Sequence, residues 1–129
     1  MTVAVAHSDT ARGEAAVHAA ATEAVLRGED LAVLHIIPGV DEPQNNDPLV
    51  EKQVAAQLDG VPGLNWKLYT APEKLDTAEA LLEEARQVGA TLLVIGSRHR
   101  TAVGKLLLGS TVQRVLLDAR IPVLVVKAS

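Results

Sequence analysis

LLVIGSRHRTAVGKLLLGSTVQRVLLDARIPVLVVK, from Leu92 to Lys127, decides the fold. Leu92–Ile95 is a short run with no polar residue, the pattern of a strand buried on both faces. Gly96–Gly109 follows as a long connection carrying three glycines and a group of cations. Ser110 or Thr111 then opens a helix whose Val112, Val115, Leu116 and Ala119 share one face. Pro122–Val126 is apolar throughout and reads as the last strand. Strands without alternation, joined through an amphipathic helix, belong to a parallel sheet with helices on both faces.

The same grammar extends upstream. Thr2–Ala6 reads as a buried strand, and His7-Ser8-Asp9-Thr10 supplies side-chain oxygens that cap a helix start. That helix runs from Ala11 to about Leu26, with Val17, Ala20, Ala21, Ala24 and Val25 on one stripe, and Gly28 ends it. Leu31–Ile37 is a second buried strand. Residues 38–48 hold Gly39, three prolines and Asn45–Asn46, so they form a loop. Asp47 caps and Pro48 begins a helix in which Val50, Val54 and Leu58 share a face. Asn65–Thr70 alternates, Trp66, Leu68 and Thr70 against Lys67 and Tyr69, as an edge strand exposed on one face does. Whether Trp66 and Tyr69 pack or lie on the surface stays open. Thr77–Val88 is a helix with Leu81, Leu82, Ala85 and Val88 together, capped by Asp76 or Thr77 and ended by Gly89. The order β-α-β-α-β-α-β-α-β predicts one doubly wound α/β domain over residues 1–129.

Composition removes several classes of function. With 129 residues and 48% of them apolar, the chain can bury a core and is not disordered. It has no cysteine, which excludes disulfides, thiolate catalysis and Cys-ligated metals. With no Phe, one Trp and one Tyr, it lacks a stacking platform for single-stranded nucleic acid. No apolar run is long enough to span a membrane, and the N-terminus has no basic flank or cleavage site. A cytoplasmic protein with no nucleic-acid or membrane partner is expected. Charge is uneven: residues 1–95 carry 6 basic and 15 acidic side chains, whereas residues 96–129 carry 6 basic ones and Asp118 alone. Arg98, Arg100 and Lys105 concentrate that excess in one segment. In an open parallel sheet, ligands sit beyond the carboxyl ends of the strands. Those ends are Ala6–Thr10, Ile36–Gly39 and Gly96 onward, so a local anion site is expected there.

Most sharp motifs fail. A P-loop would need glycine at His99 and Ser or Thr at Leu106, and the turn after the first strand has no G-x-G-x-x-G. Thr70-Ala71-Pro72, at the end of the third strand, supplies no acid where a phospho-acceptor receiver would require one. His7, His18, His35 and His99 have no metal-ligand spacing; His35 reads as a core histidine and His18 as a solvated one. No G-x-S-x-G surrounds Ser8 or Ser110. What survives is Gly96-Ser97-Arg98 and Gly109-Ser110-Thr111. Glycines permit close approach, hydroxyls donate, Arg98 and Lys105 neutralise, and a helix start favours phosphate. The alternative is a capped helix after a tight turn.

Leu92–Lys127 resembles the C-terminal signature of the universal stress protein family, nearly end to end. LAVLHII (Leu31–Ile37) is similar to that family's second strand, and VAVAHSDTARGEAAVHAA more loosely to its first strand and helix. The resemblance implies a flavodoxin-like, adenine nucleotide alpha hydrolase-like sheet of five parallel strands in the order 3-2-1-4-5. It also implies a homodimer formed by antiparallel pairing of the last strands, here Val123, Leu124, Val125 and Val126. Some members bind ATP through G-x2-G-x9-G-[ST]. On this chain that pattern gives Gly96, Gly109 and Ser110, with His99 in place of the middle glycine. The Asp that contacts ribose after the first strand is here Ala6, with Asp9 three residues on as a substitute. Adenine is read by backbone near Ile36. The implied site is Asp9, Ile36, Gly96, Ser97, Arg98, His99, Gly109, Ser110 and Thr111, holding ATP or a related adenine nucleotide with Mg²⁺. No catalytic residue and no resident metal are expected. The implied function is a regulatory stress-response module with an unidentified regulatory partner. Its alternative is a dimeric interaction protein of the same fold that holds no nucleotide. An enzyme, a hydrolase or a transferase, has only the fold class behind it.

Overall fold

The computed structural model describes residues 1–8, 10–37, 47–73, 76–97 and 108–127, apart from the side chain of Asp47. The order is β1 (Thr2–Ala6), α1 (Ala11–Arg27), β2 (Asp30–Ile37), α2 (Asp47–Gln57), β3 (Trp66–Pro72), α3 (Thr77–Gln87), β4 (Ala90–Ser97), α4 (Ser110–Asp118) and β5 (Val123–Lys127). The five strands make one sheet in the order β3-β2-β1-β4-β5, and every pairing is parallel. Winding reverses at β1, so the carboxyl ends of β1 and β4 diverge toward helices on opposite faces.

Alternation within the apolar strands feeds two cores. Val3 and Val5, with Leu31, Val33, Leu92 and Val94, face α1 and α2. Ala4, with Ala32, Leu34, Leu93 and Ile95, faces α3 and α4. The stripe of α1 that meets the sheet is Ala16, Val17, Ala20, Ala21 and Ala24, all buried. Side chains this small let the helix axis come close to β1 and β4, and a chain without Phe fills its interior with Val, Leu and Ala instead. Val50, Val54 and Leu58 are buried as the helical spacing predicts.

Helix ends follow the expected chemistry. The Thr10 hydroxyl accepts from the Gly13 amide at 3.2 Å. Gly28 ends α1 at φ 67°. Asp76 Oδ1 accepts from the Glu79 amide at 2.7 Å, so Asp76 rather than Thr77 caps α3.

Several details differ from the sequence-based reading, among them Val25 and Leu116, which are exposed rather than part of the buried stripes of their helices. β4 runs two residues past Ile95, because Gly96 and Ser97 continue the ladder opposite Val126 and Lys127. β3 is an edge strand but not one-sided: Trp66 and Leu68 pack on the first core and Tyr69 on the second. The cause is that the cores on the two faces of the sheet both reach this strand; Lys67 and Pro72 are its exposed residues, and Lys67 Nζ lies 5.2 Å from the Tyr69 ring centre. β5 ends at Lys127 rather than Val126. The loop at 38–48 lies, over 38–46, outside the described residues.

Asp76→Ala should lower unfolding free energy by about 1 kcal/mol, the usual worth of an N-cap. Urea denaturation with an unchanged slope would show that the cap alone was lost.

Candidate functional site

A cleft of 520 Å³ opens at the carboxyl ends of β1, β2 and β4, within the size range of small-molecule sites. Its floor is apolar: Ala6, Ile36, Leu81, Ile95 and Val112, all members of the second core or packed on it. Its rim is polar: His7, Ser8, Arg12, His35, Glu73, Thr77 and Thr111. The floor exists because the last inward-facing residues of β1, β2 and β4 continue past the level where α3 and α4 begin. The rim exists because helix starts and strand ends are where polar residues are tolerated.

Three helix N-termini meet here. α1 begins beside Ser8 and Arg12, and Ser8 Oγ lies 2.8 Å from Thr10 Oγ1, so the two hydroxyls share a hydrogen bond at its cap. α3 contributes Thr77 one residue after its Asp76 cap. α4 is capped by Gly109, which makes no side-chain hydrogen bond to the helix, and the α4 residue Thr111 lines the cleft. First-turn amides with no side-chain acceptor carry the positive end of the helix dipole toward the space they face.

Two glycines hold this junction together by close packing. A Cβ on Gly96 would overlap the carbonyl oxygen of Arg12 and stand 2.8 Å from its carbon. A Cβ on Gly13 would overlap Ser8, at 2.8 Å from its amide nitrogen. Gly96 therefore serves first to let β4 pass the start of α1, and Gly13 lets the residues after β1 fold onto the helix. Gly109, at φ −68°, has backbone angles open to any residue.

Of the residues picked out in the sequence, Ile36, Gly96 and Thr111 line the cleft together. Ser97 is fully buried and its Oγ donates to the Val126 carbonyl at 3.4 Å, toward β5. Ser110 is exposed as the first residue of α4, and Gly109 is half-buried as its cap; neither is among the lining residues. Asp9, Arg98 and His99, and Lys105 with them, lie outside the described residues.

Sequence reasoning missed His7, Arg12, Gly13, His35, Glu73 and Thr77 as lining residues. The signal for the histidines was available in the register. Ala6 pairs with Leu34, and the His7 amide donates to the Leu34 carbonyl at 2.9 Å, which brings His7 level with His35. Their rings meet edge-on with centres 5.4 Å apart. His35 was read as a core histidine; it sits half-buried at the cleft instead, because β2 emerges from between the helices at that residue.

A larger groove of 650 Å³ lies between α3 and α4, away from the strand ends. Its charges neutralise one another. Arg86 donates to Glu83 at 2.6 Å, and Arg114 to Asp118 at 2.8 Å. The bond from Arg86, helped by Gln87, holds the Glu83 carboxyl down at about 2, and the same contacts raise Arg86 and Arg114. Exposed ion pairs of this kind are ordinary helix-surface chemistry. No group of three or more metal-ligating side chains occurs among the described residues.

Gly96→Ala should destabilise the protein by about 1–3 kcal/mol through overpacking against Arg12, while Gly109→Ala should cost well under that. Thermal melts of the two variants check the ordering.

A sequence model described as "Universal stress protein family" matches residues 67–127. The chain is similar to a protein named "Universal stress protein in QAH/OAS sulfhydrylase 3'region" from Thermus aquaticus, 34% identical over 93% of this chain and 92% of that one. It is 55% identical over 43% of its length to a "Universal stress protein" of Mycolicibacterium smegmatis (strain ATCC 700084 / mc(2)155). The match spans 43% of that relative, and 41% of a second one from the same strain, so the chain covers less than half of either. Among solved structures, a universal stress protein from Archaeoglobus fulgidus superposes with TM-score 0.79 at 28% identity, over 97% of both chains. Two others share the fold at 24% and 23% identity, with TM-scores of 0.74 and 0.78. The first covers 97% of this chain and 96% of its own, the second 100% and 98%. They are a protein from Archaeoglobus fulgidus in complex with dAMP and a universal stress protein in complex with cAMP.

Proposed function

We propose, from the premise that this chain belongs to the universal stress protein family, that it is a regulatory module holding an adenine nucleotide in the strand-end cleft. The observation that carries this is the division of the cleft: an apolar floor beside a rim with Arg12, Thr111 and the start of α4, whose cap residue makes no side-chain hydrogen bond. A purine buries its faces on Ile36 and its neighbours. Phosphates face the cation and the helix amides, where negative charge is stabilised. Ser110, Gly109, Ser97, Asp9, Arg98 and His99 belong to this proposal by family resemblance; Ser97 donates to the Val126 carbonyl of β5. Relatives of the same fold are complexes with dAMP and cAMP, at identities that speak to fold alone. Mg²⁺ would enter with a triphosphate as its counter-ion.

The module acts by binding. His7, His35 and Glu73 are residue types that move protons, but the Ser8 hydroxyl is engaged with Thr10 at the helix cap, so it is not set up as a nucleophile. Any turnover of nucleotide by bound water is, in this reading, slow and incidental. The whole of residues 1–129 works as one unit in the cytoplasm; among the described residues no helix is long and apolar enough to cross a membrane. A homodimer through β5 completes the reading. β5 is the terminal strand of the sheet, and Leu124 on it is 37% exposed. A bare apolar edge invites pairing with a second copy. Ala6, standing in the cleft where ATP-binding members carry Asp, favours the second reading, an interaction protein without nucleotide.

Calorimetry with ATP and Mg²⁺ separates the two. Saturable binding below millimolar ligand is expected, and Arg12→Ala should weaken it about tenfold, the worth of one charge-assisted contact. No binding at millimolar ATP overturns the nucleotide reading. Sedimentation velocity tests the dimer: Leu124→Lys should shift the protein to a monomer without lowering its melting temperature appreciably.

A further inference from the structure

We propose that Glu73 selects the base of the bound nucleotide, its carboxylate accepting the 6-amino group of adenine at the β3 side of the cleft. This rests on the nucleotide reading above and adds a side-chain acceptor to the backbone reading of adenine near Ile36.

Glu73 stands one residue past the end of β3. Its amide donates to the Ile37 carbonyl at 2.9 Å, continuing the register that pairs Ile37 with Pro72. The backbone at Glu73 is thus held by the sheet rather than by loop geometry. Its half-buried side chain lines the cleft beside Ile36, and among the described lining residues it is the one carboxylate.

Charge then orients the ligand. Arg12 and the start of α4 lie over β1 and β4, while Glu73 lies beyond β2. With strands about 4.8 Å apart, β3 is about 10 Å from β1 and about 14 Å from β4. A polyphosphate is drawn to the cationic side and repelled from the carboxylate. The base therefore points toward β2 and β3, with its faces on Ile36 and its polar edge toward Glu73.

A carboxylate accepts hydrogen bonds and donates none. It rewards an amino group and opposes a carbonyl at the same place. Glutamine, of equal size, satisfies both.

The test compares ATP with ITP, which differ along that edge of the base. Calorimetry on the full chain near neutral pH should give wild-type protein about a tenfold preference for ATP. In Glu73→Ala the two affinities should converge through weaker ATP binding and undiminished ITP binding, and in Glu73→Gln through strengthened ITP binding. Unchanged melting curves would show that both variants fold. An unaltered ATP preference in both variants, with ATP still bound, overturns the role of Glu73 and leaves the nucleotide site standing. Failure of wild-type protein to bind either nucleotide overturns both.

Discussion

The rest of the structure depends on β1 being gripped from both sides. β2 pairs with one edge and β4 with the other, so Val3, Ala4 and Val5 each serve two ladders and one of two cores. Val3, Ala4 and Val5 are fully buried in consequence. The chain leaves β1 toward β2 and β3, then returns on the other side to β4 and β5. Helices after β1 and after β4 therefore go to opposite faces, and no helix can cover the strand ends between them. The cleft is a topological necessity before it is a binding site.

Packing at that junction is tight where it is structural and open where it is chemical. Gly96 and Gly13 are small because backbone passes them closely. Around that fixed point, the floor consists of core residues with one face left uncovered, and the rim of helix starts whose amides face outward. Polar and apolar demands are thus met by the same few turns of chain. The α3–α4 groove is larger, yet Arg86 and Arg114 in it are paired with carboxylates on their own helices.

Much of the fold is legible in residue spacing. β1 is legible from Val3–Ala6, an apolar run that the polar His7-Ser8 ends. β4 was read short, because Gly96 and Ser97 look like a turn until a neighbouring strand is there to pair with them. The site was less legible. Ile36, Gly96 and Thr111 could be found from position and motif, since each lies at a strand or helix end. Arg12, His35 and Glu73 carry no local signature: one is an ordinary helix cation, one is embedded in an apolar strand, and one follows a proline.

Alternation, caps and breakers are properties of a few consecutive residues, and they determined by themselves the nine elements, their order and the two-sided burial of the sheet. Which strand ends lie side by side is a property of residues thirty or ninety positions apart. Only the assembled sheet could bring His7 level with His35, place Glu73 across the cleft from Arg12, and turn Ser97 away from the cleft toward β5. Side-chain chemistry is written in the chain, but the direction in which it acts is set by long-range pairing, and no short window of sequence contains that.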